Sequence, residues 1–193
     1  MTSPAGPVPP GPFPAGATPA GDGILVGTAG AAVDAYIDYL CPYCRQFELG
    51  AGPALRNLIT EQQIQVLYHP MSFLDNASST RYSTRAAAAA ACAADSGKFL
   101  EFSEALYVSQ PPEGGPGLSD RELSDLGASV GLDGGTFGEC LASGRYLDWP
   151  GFVTEMAEAR GVSATPTVLV DGLPVAPVAH AIAQAAGVDP GLG

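Results

Sequence analysis

The chain has 193 residues, nearly half of them apolar, and a formal net charge of −12 from 20 acidic against 8 basic side chains. That size fits one domain, or one domain carrying a large insertion, and the apolar share is that of a globular protein with a proper core. The charge argues against nucleic acid and anionic lipid as partners, because such a surface repels both.

No apolar run reaches the length of a membrane span, and no hydrophobic leader follows Met1. The chain is therefore expected either to be cytoplasmic or to have lost a signal or anchor. Residues 1–22 are mostly Pro, Gly, Ala, Ser and Thr, with Phe13 as the single aromatic. Such a composition does not bury enough surface to offset its ordering entropy, which predicts a flexible, partly polyproline-like tether. Residues 23–27 read as a short strand and 28–32 as a turn. Residues 33–40 are rich in β-branched and aromatic side chains and apolar on both faces, the pattern of a central strand covered on two sides. A helix is expected from Cys41 to about Gln62, kinked at Gly50-Ala51-Gly52-Pro53, because proline removes an internal hydrogen bond. Residues 64–69 read as a second core strand, giving a right-handed β-α-β unit with parallel strands.

From Asn76 to Arg160 the pattern is helical. Residues 79–95 contain the alanine run 86–91, strongly helix-forming; 98–110 place Phe99, Phe102, Leu106 and Tyr107 at helical spacing. A loop follows over 111–117. Ser119 with Glu122 is a capping box that opens a helix to about Val130. A short helix from Asp133 or Thr136 to Ser143 and another over 149–160 complete the block. Its aromatic and leucine stripes read as core. Strand character returns over 162–170. Asp171-Gly172 signals a hairpin turn into 173–175, and a short helix over 179–186 closes the chain. Proline between two apolar runs is unusual inside a strand. Pro166 makes sense if the Thr165–Pro166 bond is cis and the strand starts there, leaving an open backbone edge.

The chemistry centres on Cys41-Pro42-Tyr43-Cys44, where the first long strand hands over to a helix. The loose N–H groups and partial positive charge of a helix N-terminus stabilise an anion there. Cys41 is therefore expected to have a lowered pKa and to be partly thiolate. Pro42 suits the first helical turn, and Cys44 lies one turn on, within reach of a disulfide formed by Cys41. This is the arrangement of a redox dithiol. A zinc site would need four ligands, and no second Cys or His pair is near in sequence, so no metal and no cofactor is expected. His69 and His180 read as packing or surface residues. Four cysteines allow three pairings. With Cys41 and Cys44 together, Cys92 and Cys140 form either a second bridge, which would favour an oxidising compartment, or two separate buried thiols.

The strand ending in Cys-Pro-X-Cys, the β-α-β unit, the Thr-Pro before a hairpin and the closing helix together resemble the thioredoxin fold, an α/β architecture. The helical block between the second core strand and Thr165-Pro166 resembles the DsbA-like branch. Residues 38–48 look like the active-site stretch of those proteins. The Ala- and Gly-rich composition and the spacing of Cys92 and Cys140 look like its secreted actinobacterial members. On this resemblance, residues 23–75 and 161–187 form the thioredoxin-like domain, 76–160 an inserted helical domain, and 1–22 the tether. Cys92–Cys140 is then a structural disulfide, and the location extracytoplasmic, secreted or anchored through a removed N-terminal segment, with the cytoplasm as the alternative.

Two departures stand out. Cys-Pro-Tyr-Cys is the glutaredoxin dipeptide, where many DsbA-like proteins have histidine in place of Tyr43. The buried glutamate that many relatives carry in the preceding strand is here Ala35. Asp34 or Asp38 is expected to handle protons in its stead, with Asp38, nearer the dithiol, preferred; the alternatives are no replacement at all, or a capping or solvated aspartate. The expected function is thiol–disulfide exchange through Cys41 (attacked) and Cys44, with Pro42, Tyr43, Asp38, Thr165 and Pro166 as neighbours. Introduction of disulfides into reduced, unfolded exported proteins is preferred over reduction or isomerisation, or a non-catalytic peptide-binding or chaperone module. The resemblance implies a membrane re-oxidant of the DsbB or vitamin K epoxide reductase-like type, and a monomer is expected.

Overall fold

A computed structural model of the chain describes residues 11–189. Five strands form one sheet in the order β1-β3-β2-β4-β5: β1 (Ile24–Val26), β2 (Ala31–Ile37), β3 (Ile64–Pro70), β4 (Thr167–Val170) and β5 (Leu173–Val175). β2 and β3 run parallel, joined by α1 (Pro42–Thr60); the other neighbours are antiparallel. Between β3 and β4 lie α2 (Tyr82–Asp95), α3 (Phe99–Val108), α4 (Asp120–Ser129), α5 (Thr136–Ser143) and α6 (Trp149–Ala159), and α7 (Ala179–Ala185) follows β5. This is a thioredoxin-type sheet with a helical block inserted after its second long strand.

β2 occupies the sheet centre and buries Val33, Ala35, Tyr36 and Ile37, while β3 buries Ile64, Val66 and Tyr68. The alanine run makes α2 an interior helix. Ala86, Ala87, Ala89, Ala90 and Ala91 are fully buried, and their small side chains let α3, α5 and α6 come against it from several directions. A disulfide joins Cys92 of α2 to Cys140 of α5. Ser119 and Glu122 form the complete reciprocal capping box at the start of α4. Asp171 and Gly172 both have positive φ, as a tight two-residue hairpin turn requires. The Thr165–Pro166 peptide is cis, and β4 begins immediately after it.

Several expectations shift. The first core strand ends at Ile37 rather than Leu40, because the Asp38 carboxylate accepts the Leu40 N–H at 2.8 Å and turns the chain. The helix expected from residue 79 starts at Tyr82, since Arg81 has a left-handed backbone, φ +55°. α1 runs through Pro53 as one helix.

The largest correction concerns the tether. Residues 1–10 lie outside the described residues, but 11–22 are packed onto the domain. Phe13 stacks on Phe152 with ring centroids 6.1 Å apart, and Ala17 bridges to Ile24 beside the β1 edge. The buried indole of Trp149 donates to the Gly21 carbonyl at 2.7 Å. Asp22 is buried against Arg160, and its carbonyl meets Nδ1 of the buried His69. The low-complexity composition hid a few strong anchors, which together offset the ordering cost that composition alone implies.

Candidate active site

The site forms where β2 ends. Cys41 stands at the N-cap of α1 in extended conformation with Pro42 next to it. The Cys41 N–H donates to the Asp38 carbonyl, and its own carbonyl accepts from Arg45 N–H, both at 3.1 Å. Cys41 and Cys44 are both free thiols. Both residues are recessed, with 4 % exposure for Cys41 and none for Cys44.

The two sulfurs differ in acidity. Cys41 is pulled down to about 6, first by a hydrogen bond from the Cys44 side chain, then by the Thr165 side chain and the Cys44 and Tyr43 backbone N–H groups, against an opposing push from burial. Cys44 is pushed up, first by burial and then by the neighbouring Cys41 sulfur. A protonated Cys41 thiol faces the Thr165 carbonyl at 3.2 Å. Thr165 lies ahead of the β4 ladder, which starts at Thr167.

Asp38 is fully buried, which removes the solvated alternative. One carboxylate oxygen accepts from Leu40 N–H and the Ser83 hydroxyl at 2.7 Å; the other accepts from Leu74 N–H at 2.9 Å. Its backbone N–H donates to Cys44 Sγ at 3.4 Å. Burial pushes its carboxyl up to about 6 despite these donors. Asp38 thus ties the end of β2, the segment after β3 and α2 together beside the dithiol.

Other contacts came from residues with no local signal in the sequence. Gln110 Nε2 donates to the Tyr39 and Cys41 carbonyls at 2.9 and 3.0 Å. Arg45 Nε donates to the Tyr107 carbonyl at 2.9 Å, and the Tyr107 hydroxyl donates to the Asp38 carbonyl. The end of α3 therefore clamps the Cys41 loop. On α1, the buried Glu48 pairs with Arg56 at 2.7 Å. His69 is a packing residue, stacked on Tyr36 with its Nε2 2.9 Å from Asp34, and His180 is exposed.

Two depressions flank the exposed Tyr43 ring. One of about 530 Å³ is lined by Cys41, Phe73, Leu74, Glu113, Ala164 and Thr165 among others. The second, of about 410 Å³, has Phe47, Pro166, Pro177 and Val178. Tyr43, Gln46 and Thr165 belong to both, so together they make a groove that passes Cys41. Among the described residues no group of three His, Cys, Asp or Glu side chains converges as metal ligands would.

The family profile described as Thioredoxin matches residues 20–185. Oxidised DsbA of Mycobacterium tuberculosis superposes with a TM-score of 0.73 at 34 % identity, over 88 % of this chain and 95 % of that one. The chain belongs to the thioredoxin family, in its DsbA-like branch of thiol–disulfide oxidoreductases. The reduced disulfide bond oxidoreductase DsbG of the same organism gives a TM-score of 0.70 at 35 % identity over 80 % of each chain. The serine/threonine-protein kinase PknE of Mycobacterium tuberculosis is 35 % identical over 135 residues, 65 % of this DsbA-like chain. The chain spans only 24 % of the length of that kinase. No helix among the described residues is long and apolar enough to cross a membrane.

Proposed function

We propose that this DsbA-like chain introduces disulfides into reduced, unfolded exported proteins, with Cys41 as the exchanging sulfur and Cys44 as its partner. The observation that carries the reading is the opposed acidity of the two sulfurs, Cys41 lowered to about 6 and Cys44 raised. In the oxidised protein a client thiolate attacks Cys41 Sγ. The Cys41–Cys44 bond breaks, its electron pair goes to Cys44, and that buried sulfur takes a proton. A second client thiolate then attacks the client sulfur of the mixed disulfide and releases Cys41 as a stabilised thiolate. The client leaves oxidised and the protein reduced. A good leaving thiolate at Cys41 drives exchange in this direction.

Thr165 would pair its backbone with an extended client segment by strand addition, with Pro166 and Tyr43 walling the groove. Asp38 holds the loop and, with a carboxyl near 6, is suited to take up or give a proton beside Cys44. Re-oxidation would come from a membrane partner of the DsbB or vitamin K epoxide reductase-like type, which places the working location outside the cytoplasm. The protein would act as a monomer, and the Cys92–Cys140 bridge would be structural.

An equilibrium titration of Cys41–Cys44 against glutathione tests the direction. An oxidase has a potential well above that of the glutathione pool, whereas a value near the thioredoxin range of about −270 mV would make the protein a reductase.

A further inference from the structure

The groove that passes Cys41 is electrically lopsided. On one side of Tyr43 it is lined by Phe47, Pro166, Pro177 and Val178, without a charge. On the other side stands Glu113. Among the described residues Glu113 is the one acidic or basic side chain lining either half. Its carboxylate has no hydrogen-bond or ion-pair partner among the described residues, while Asp38, Glu48 and Asp75 all do.

The Glu113 backbone is nonetheless held in place. The next residue, Gly114, donates its N–H to the Ala77 carbonyl at 2.7 Å, and Ser79 N–H donates to the Gly115 carbonyl at 3.1 Å. The loop is thus stapled to the segment after β3, which itself supplies Phe73 and Leu74 to the same wall. The exposed Glu113 carboxylate, carried on a stapled loop, lines the same depression as the reacting Cys41 and offers a cation a partner there. Among the described residues no cationic side chain lines the groove to occupy it.

We propose that Glu113 selects clients with a lysine or arginine close to the reacting cysteine, on one side of it only, with uncharged or apolar residues on the other. This rests on thiol exchange at Cys41 and adds the substrate class. The net charge of −12 draws basic segments toward the protein in general; Glu113 converts that pull into a positional preference. A single exposed charge pair is worth a discrimination of roughly two- to fivefold.

The test uses the full chain, oxidised at Cys41–Cys44, and excess single-cysteine peptides. Two peptide thiols reduce one protein disulfide and leave as a peptide disulfide, and the rate is read by acid quench and mass spectrometry. The peptides are uncharged except for Lys or Glu two residues before, or two residues after, the cysteine. The same set is run on Glu113→Gln and on Asp133→Asn, which removes a charge from an exposed residue lining neither half of the groove. Dividing the wild-type Lys-to-Glu rate ratio by that of Glu113→Gln cancels the effect of each charge on the peptide's own thiol.

The expected quotient is two to five at one placement and near one at the other, retained in Asp133→Asn and lost in high salt. A quotient near one at both placements overturns the proposal. So does an equal preference on both sides, or an Asp133→Asn variant that behaves like Glu113→Gln. If no peptide, including an uncharged one, reduces the oxidised protein, the exchange reading falls and takes this one with it.

Discussion

Removing the Cys92–Cys140 bridge is expected to cost the protein a large part of its stability. The bridge closes a loop with a sequence separation of 48. Chain-entropy reasoning for a loop of that length gives about 4 kcal/mol at 25 °C, gained mainly by restricting the unfolded chain. At about 2–4 °C per kcal/mol for a chain of this size, the melting temperature should drop by roughly 8–16 °C. The loss is localised as well as global. α5 has only eight residues, Thr136–Ser143, too short to persist without tertiary support. It is anchored by Cys140 and by Phe137, whose ring sits 5.3 Å from that of Phe102. The assay is guanidinium unfolding of the Cys92→Ala/Cys140→Ala double variant against wild type, without reductant, together with hydrogen exchange. Exchange should accelerate first in α5 and in α4, which packs against it. A double variant within about 1 kcal/mol of wild type would refute the reasoning, because a cross-link over this loop cannot be so weak unless the unfolded chain is already compact there.

The remaining expectations are narrower. Tyr43→His should raise the redox potential, because an imidazolium beside Cys41 favours the thiolate of the reduced form; an unchanged or lower potential refutes this. Cys44→Ala should accumulate mixed disulfides through Cys41 with a reduced, unfolded client on non-reducing gels. Gly30→Ala should destabilise by at least about 2 kcal/mol, read by denaturant unfolding. Gly30 has φ +87°, and an added Cβ would lie 2.0 Å from the Gln63 carbonyl oxygen. For pH, Cys41 ionises in the folded reduced protein near 6, below its ordinary value of 9.0. Its contribution is therefore full above about pH 9 and is lost as pH falls through 6. The melting temperature of the reduced protein, taken relative to the oxidised protein, should rise across that window, and a flat difference would count against a stabilised thiolate.

Features with strong local chemistry could be read from the sequence. Ser119 and Glu122 specify a capping box by spacing alone. Asp171-Gly172 specifies a turn because the two residues tolerate positive φ. A proline between two apolar runs fits the cis bond at 166 and the start of β4 beyond it. Boundaries were less legible. Nothing local announces that Asp38 will end β2 with its own side chain, or that Arg81 will take a left-handed backbone. What surrounds the dithiol was least legible of all. Tyr107, Gln110 and Glu113 come from the inserted block, over 60 residues after Cys41. Their placement follows from how α2 and α3 dock, a tertiary outcome that periodicity does not encode. The composition argument failed at residues 11–22 because it averages, whereas Phe13 and Asp22 act singly.

The ordered stretch before β1 bears on where the chain can be cut. Gly23 looks like a natural place to begin a shorter fragment, yet starting there would strip Trp149 of its acceptor and leave Arg160 without its buried carboxylate. It would also lay bare the outer edge of β1, where Leu25 N–H now donates to the Gly16 carbonyl, and an unprotected strand edge invites other chains to add to it. A fragment beginning at Gly11 should be as soluble as the full chain, while one beginning at Gly23 should aggregate.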